Sequence, residues 1–445
     1  MNNSKKILSF IDVIVVLLNI AAGRGNCLIY WLFSIERTLY VPFAVIIVDV
    51  IYILFRFHGK IHSFSLTHHK PILLIFFLLL YNSFNGLLQE GRFEFYLLGL
   101  VVVSSLLVFI LDQHVYNIQN CRIPFRESVM LLSKGYIWLA MISILGVILS
   151  FVLLRIGLVH GSPLSLDFFE TNEYYSSVVY LRTFVSVTQA PINALGYYRE
   201  IRVPFFQDYG VLCGLFHEPH ILAYHIFPCV IFLIGIAKSV KQRVLFIILS
   251  ILMILFAGSA TNFIVIVACL SVYFILLARK NAYFAVLGLL LVLVLVGGYF
   301  ILDDTFLQFV LNRLDSGNIS NMSTKELLAF AFSPKTLMGT NFLSTSFTTE
   351  AGGAGGQDIG LIAFIFNIWF LVLYFRNTIK LLFKHDRVSV SVGFMCLYYI
   401  LHSAKIGMNM YIQIMPVFLV YLQNYVLKYG RIQTTNRIRA ERIKS

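Results

Sequence analysis

The chain has 445 residues, of which 59% are hydrophobic, 15% aromatic and only 12% charged, with a formal net charge of +13. Soluble domains carry roughly 25% charged residues, so a surface solvated by water all round is excluded. A spanning helix needs about 20 consecutive apolar residues, and runs close to that length fill most of the chain.

In chain order the apolar runs are Ile7–Gly23, Leu39–Phe55, Pro71–Gln89, Phe95–Asp112 and Val129–Leu154, then a long polar stretch from Arg155 to Glu218. Pro219–Ala237, Val244–Phe256, Thr261–Ala278 and Ala282–Leu302 follow, with a split near Gly258, and then a second polar stretch, residues 303–356. Gln357–Phe375, Val388–His402 and Gly407–Leu427 complete twelve runs, and residues 428–445 form a basic tail. The expected fold is an all-α polytopic membrane protein of about 12 transmembrane helices with two large loops, forming a single integral membrane domain. Ile7–Gly23 lacks a small-residue cleavage site and reads as an uncleaved first span.

With the N-terminus in the cytoplasm, 23 of the 34 basic residues fall in the inner segments and the tail, although the outer segments are longer. This positive-inside pattern places both termini in the cytoplasm and both long stretches on the opposite face. A basic segment directly after a last span meets anionic lipid headgroups rather than nucleic acid. The six cysteines are scattered with no CxxC spacing, so neither a disulfide framework nor a zinc ribbon is expected.

Ionisable residues inside spans mark ion or proton routes when they lie deep. Asp12 and Asp49 lie nearer the cytoplasmic ends than the middle and Asp112 closes the fourth run, so snorkelling or capping accounts for them. The polar chemistry is therefore expected in the outer loops.

The first loop carries Arg155, Arg182, Arg199 and Arg202 and no lysine, among six acids. Guanidinium offers a rigid fork that matches phosphate or carboxylate, although Arg199 beside Glu200 and Arg202 near Asp208 could equally be loop ion pairs. Residues 174–188 mix apolar and hydroxyl side chains, suiting an interfacial amphipathic helix or, from their β-branched content, a short strand pair. Pro219 suits the first turn of a helix, and Glu218 is then either its N-cap or a carboxylate able to act as general base. His217, His220 and His225 do not match HExxH, so no metal site is expected. In the second loop, Ser323 or Thr324 caps a short helical piece, Pro334 and Gly339 follow, and a glycine-rich run leads to Asp358 and Gly360.

Taken together, these residues resemble the O-antigen and exopolysaccharide polymerases (Wzy type), relatives of the O-antigen ligases. The likeness rests on about a dozen spans with two large periplasmic loops, on Gly214-Leu-Phe-His-Glu218-Pro219, on Arg199 followed after ten residues by Gly210, and on Pro334–Gly360. The Ser-Arg turn common after the next two spans is absent, since Gly258-Ser259-Ala260-Thr261 lacks the arginine, and a second Arg-ten-Gly match fails at Thr324.

The resemblance implies a GT-C-like glycosyltransferase of the bacterial inner membrane that polymerises undecaprenyl-diphosphate-linked repeat units at the periplasmic face, without a cofactor. It implies Glu218, Arg199 and Arg202 as catalytic residues and Arg182, Arg313, His217, His220, Asp358 and Gly210 as substrate-binding ones. A chain-length regulator and a flippase are the implied protein partners, beside membrane lipids. An O-antigen ligase and a transporter or flippase of lipid-linked glycan remain as alternatives. The ligases carry a histidine in the second loop, and residues 303–356 contain none.

Overall fold

A computed structural model describes residues 9–23, 26, 28–33, 39–57, 69–90, 93–157, 176–180, 185–189, 205, 211–212, 214–216, 219–257, 260–278, 286, 360–406, 410–411 and 413–444. The fold is a helical bundle: α1 (Phe10–Ala21), α2 (Leu28–Phe33), α3 (Tyr40–Arg56), α4 (Lys70–Glu90), α5 (Phe95–Asn120), α6 (Phe125–Leu132), α7 (Lys134–Arg155), α8 (Pro219–Ile236), α9 (Val240–Ala257), α10 (Ala260–Ala278), α11 (Gly360–Leu382), α12 (Arg387–Ile406) and α13 (Met415–Lys444). Among the described residues four segments are long and apolar enough to cross a membrane: Lys70–Leu88, Phe95–Asn120, Lys134–Leu153 and Ile362–Leu382. Shorter apolar helices cover Phe10–Ala21, His220–Ile236 and Asn262–Leu276. The ninth expected run, Ala282–Leu302, lies outside the described residues apart from Val286.

Local chemistry explains where the helices depart from the expected bounds. The seventh run begins earlier, at Val240, because Ser239 and Gln242 form a capping box. The Ser239 hydroxyl accepts from Gln242 N at 3.2 Å, and the Gln242 carbonyl oxygen accepts from Ser239 N at 3.4 Å. The fourth run extends past Asp112 to Asn120 and stops in a Schellman motif. There Arg122 takes φ 51°, Ile123 N donates to Ile118 O at 3.3 Å and Arg122 N to Gln119 O at 3.0 Å, and Pro124 follows. The fifth run starts earlier, at Phe125, and is divided at Ser133 into α6 and α7. The twelfth begins only at Met415, since Pro416 suits a first turn and would clash with a helix continued backwards. Its helix then runs on through the basic tail to Lys444.

A three-stranded antiparallel sheet adds to the all-α expectation. β1 (Ser176–Tyr180) pairs with β2 (Val185–Gln189) from Ser176↔Gln189 to Tyr180↔Val185, and β2 pairs with β3 (Val211–Leu212) through Val187↔Leu212. Residues 176–180 and 185–188 of that segment thus take the strand-pair option, as their valines favour.

The core centres on α8 and α12, which approach so closely that a Cβ on Gly235 would stand 2.8 Å from Ser391 Cβ. Polarity is arranged inside out. Asp12, Asn19, Asp49, His114, Asn262, Asn367 and His402 are buried, while Leu54 is 64% and Phe55 83% exposed on the outer side of α3. Outward apolar side chains over polar ones turned inward are what a bilayer solvent selects, and this is a helical membrane protein.

The two ends of the bundle can be told apart by their contacts. At one, the basic end, Arg126 donates to the Ile236 carbonyl, Lys384 Nζ to Val426 O at 3.4 Å, and Arg56 pairs with Asp12 at 3.0 Å. At the other, the loop end, Asn26 bridges Phe216, Gly23 lies against Gln413, and Arg155 donates to the Phe205 carbonyl.

The three acids within helices behave differently from one another. Asp12 does cap, forming a capping box with Ser9, but it is also fully buried and accepts from Tyr52 OH at 2.7 Å and Arg56 Nε at 3.0 Å. Asp49 neither caps nor snorkels; it is buried against Asn19. Asp112 lies two turns inside α5 and accepts from Tyr421 OH at 2.6 Å. Removing one partner of a buried pair strands the other charge. Arg56→Ala is therefore expected to cost about 2 kcal/mol, below the usual range because Arg56 is one-third exposed. The check is the thermal unfolding midpoint of the detergent-solubilised protein, with Asp12→Asn added to Arg56→Ala recovering part of the loss.

Candidate functional site

The first long stretch leaves the bundle at Arg155 and returns at Pro219. Arg155 is the one of its four arginines that falls within the described residues. Its guanidinium donates to the Phe205 carbonyl and stacks 4.6 Å from the Phe205 ring centroid and 5.4 Å from that of Phe151. That arginine anchors its own loop to α7.

The returning chain does not stay at the surface. Leu212, Leu215 and Phe216 are buried, and Gly214, at φ 57°, packs on the Ser143 carbonyl and Val147 of α7. Val147 precedes Arg155 by eight residues, which places this contact roughly 12 Å below the end of α7. The segment is short and apolar, Val-Leu-Cys-Gly-Leu-Phe, so sinking it removes hydrocarbon from water. Two further segments reach the same region. Asn26 takes Leu28 N on its side-chain oxygen at 2.9 Å, starting α2, and bridges Phe216. Before α13, Met410, Tyr411, Gln413 and Ile414 are all buried, with Tyr411 OH donating to Asn367 at 2.5 Å.

Beneath these segments lies a cluster of histidines and tyrosines shared by α8, α10 and α12. On α8, His225 Nδ1 lies 3.0 Å from the Ile221 carbonyl, which assigns the ring proton to Nδ1 and leaves Nε2 as the acceptor nitrogen. The His225 ring is 4.8 Å from that of Phe216, at the bottom of the sunken segment. Tyr224 packs against Tyr399 with ring centroids 4.3 Å apart and meets the edge of His402 at 5.7 Å. Tyr398 donates its hydroxyl proton to Asn262 and lies 3.0 Å from His402 Nδ1. With that proton directed to Asn262, the Tyr398 oxygen is free to accept from His402 Nδ1. Tyr136 OH donates to the His225 carbonyl at 2.6 Å and ties the cluster to α7. Two imidazoles set among phenols and amides can exchange a proton and hydrogen-bond hydroxyl groups.

Of the residues expected at the site, His220 stands in the first turn of α8 and is partly buried. Arg182, Arg199, Arg202, Gly210, His217, Glu218, Arg313 and Asp358 lie outside the described residues. α8 does begin at Pro219, directly after Glu218. His402, Tyr398, Tyr399, Tyr224 and Asn262 were not singled out in the sequence. The only signal for them was the Tyr398, Tyr399, His402 spacing, which puts polar groups on neighbouring faces of one helix in an otherwise apolar run. Among the described residues no three His, Cys, Asp or Glu side chains converge as a metal site would require.

No family model, curated protein or solved structure matches the chain.

Proposed function

We propose that this chain polymerises undecaprenyl-diphosphate-linked oligosaccharide repeat units into a surface polysaccharide, at the non-cytoplasmic face of a bacterial inner membrane. The observation that carries the reading is the sunken return of the first loop, which leads into α8 directly over His225 and His402 at the end opposite the basic residues. In this reading the loop end is the periplasmic face, both termini are cytoplasmic, and about twelve spans form a GT-C-like scaffold whose outward apolar surface accommodates polyprenyl tails.

The reaction makes a new glycosidic bond. The acceptor hydroxyl oxygen attacks the anomeric carbon of the growing chain, the bond from that carbon to the diphosphate oxygen breaks, and the hydroxyl proton passes to a base. Glu218 is the first candidate for the base, with His217, His220 and Asp358 as lesser ones. Arg199 and Arg202, then Arg182 and Arg313, oppose the charge that develops on the leaving diphosphate. The donor is already activated, so no nucleotide or other cofactor is needed. A chain-length regulator and a flippase are the protein partners this role calls for.

The absence of histidine from residues 303–356 favours the polymerase over the ligase reading. The flippase reading draws on a different observation, the buried Asp12, Asp49 and His114 between α1, α3 and α5. Deleting the gene and resolving surface polysaccharide by gel separates the three. Loss of the ladder with one repeat unit retained is the expected result. Total loss of attached glycan supports the ligase, and lipid-linked units held on the cytoplasmic side support the flippase.

A further inference from the structure

The α1–α3 contact holds an acid and an amide that face each other away from any counter-charge. Asp49 is 0% exposed and so is Asn19. Asn19 Nδ2 donates to Asp49 Oδ1 at 2.7 Å and to the Val15 carbonyl at 3.0 Å. The remaining two atoms of the pair, Asn19 Oδ1 and Asp49 Oδ2, are both buried and both lack a hydrogen-bond partner among the described residues. Two acceptor oxygens left bare on opposite members of one hydrogen-bonded pair are anomalous, because buried polar atoms are nearly always satisfied.

Charge does not resolve the anomaly. On the packed elements the titratable and charged groups are Asp12 of α1, Tyr40, Tyr52 and Arg56 of α3, Tyr96, Asp112, His114 and Tyr116 of α5, and Lys134, Tyr136 and Arg155 of α7, while α2 contributes no charged residue. Four of them are engaged with one another, Arg56 with Asp12 at 3.0 Å, Tyr52 with Asp12 at 2.7 Å and His114 with Tyr52 at 3.4 Å, and Lys134 and Arg155 stand at the two ends of α7. Among the described residues no cation pairs with Asp49, and an isolated buried carboxylate is among the least favourable groups a protein can hold. Exchanging O and N on Asn19 does not help, since it would set oxygen against oxygen at 2.7 Å. One added proton satisfies both bare atoms together. With a hydrogen on Oδ2, Asp49 donates to Asn19 Oδ1 while Asn19 Nδ2 donates to Asp49 Oδ1, closing a cyclic acid–amide pair.

We propose that Asp49 is a proton-binding site, a neutral carboxylic acid locked to Asn19 across the α1–α3 contact. The site is separate from the loop-end cluster and stands whether or not the chain is a polymerase.

Infrared spectroscopy of the full chain in lipid bilayers at pH 7, wild type minus Asp49→Asn, tests this. The expected difference is the carbonyl band of a protonated carboxyl, shifted in D2O and the same with or without sodium. A carboxylate doublet in its place overturns the proposal. So does a protonated band that appears only when sodium is removed, which would make the pair a cation site. Asp49→Asn keeps both hydrogen bonds of a neutral acid, as does the exchanged pair Asn19→Asp with Asp49→Asn. Both variants are therefore expected to unfold at no lower temperature than wild type at pH 7. Failure of both to fold, or a clear fall in both midpoints, overturns the proposal.

Discussion

Cells in which Arg199→Ala replaces the wild-type chain are expected to carry single repeat units and no long polymer, with the protein present at its normal level. The argument is electrostatic. Departure of a diphosphate concentrates negative charge near the membrane surface, where water is scarce and a fixed donor counts for more than in bulk solvent. Losing one such contact costs roughly 3 kcal/mol, about a hundredfold in rate. In a processive reaction that deficit is compounded at every addition, so the longest products vanish first. Arg199→Lys is expected to restore only part of the ladder, because a point charge on a flexible stem does not reproduce a planar fork. A normal ladder from the alanine variant would remove Arg199 from the mechanism. Arg155 makes the comparison sharper. Its guanidinium is spent on the Phe205 carbonyl and two phenyl rings. Arginine without lysine in a loop thus serves as a structural anchor at Arg155, beside the anion-binding fork proposed for Arg199, and composition alone does not separate the two.

Depth and pairing are what the sequence does not show. Hydropathy locates helices because a bilayer or a core demands about the same side chains along a whole span. It placed α1, α3, α4, α8, α10, α11 and α12 within a few residues, except at the C-terminal ends of α11 and α12. It failed at ends governed by local hydrogen bonds, as at Ser239 and Arg122, and it closed α5 at Asp112 because a carboxylate looks like an exit from apolar surroundings. In the structure Asp112 is accommodated by Tyr421, 309 residues away. The same holds for Asn19 with Asp49, 30 residues apart, and Tyr398 with Asn262, 136 apart. Each partner is an isolated polar residue in an apolar run, uninformative until the fold brings the two together. The reading that polar chemistry had been moved out to the loops followed from counting charges one run at a time, and the buried His225–His402 cluster modifies it. The 211–216 segment was legible in part. Its apolar character is evident, but six residues are too few for a span, and only the contact with α7 shows that the loop closes below the surface.

That contact supplies a steric test of the site. Gly214 has φ 57°, and a Cβ there would lie 2.8 Å from Val147 Cγ2, 3.2 Å from the Ser143 carbonyl oxygen and 3.3 Å from Val147 N. Alanine at this position takes on left-handed backbone strain of roughly 1–2 kcal/mol. It also takes on overpacking of roughly 1–3 kcal/mol, since two of the three opposing atoms are backbone and cannot swing aside. The expected total is about 3 kcal/mol, enough to unseat the segment and shift the start of α8 to a later residue. Gly157 separates the two terms. It has φ 69°, but a Cβ there would meet no atom within 4 Å, so Gly157→Ala should cost only the strain, about 1 kcal/mol. Adding Val147→Ala to Gly214→Ala removes the closest clash while leaving the strain and the backbone contacts, and should recover part of the stability and part of the polymer. Unfolding midpoints of the purified variants and the length of the polysaccharide ladder report the two effects independently. If Gly214→Ala behaves like Gly157→Ala in both assays, the segment is not seated on α7 and the loop end is not organised around it.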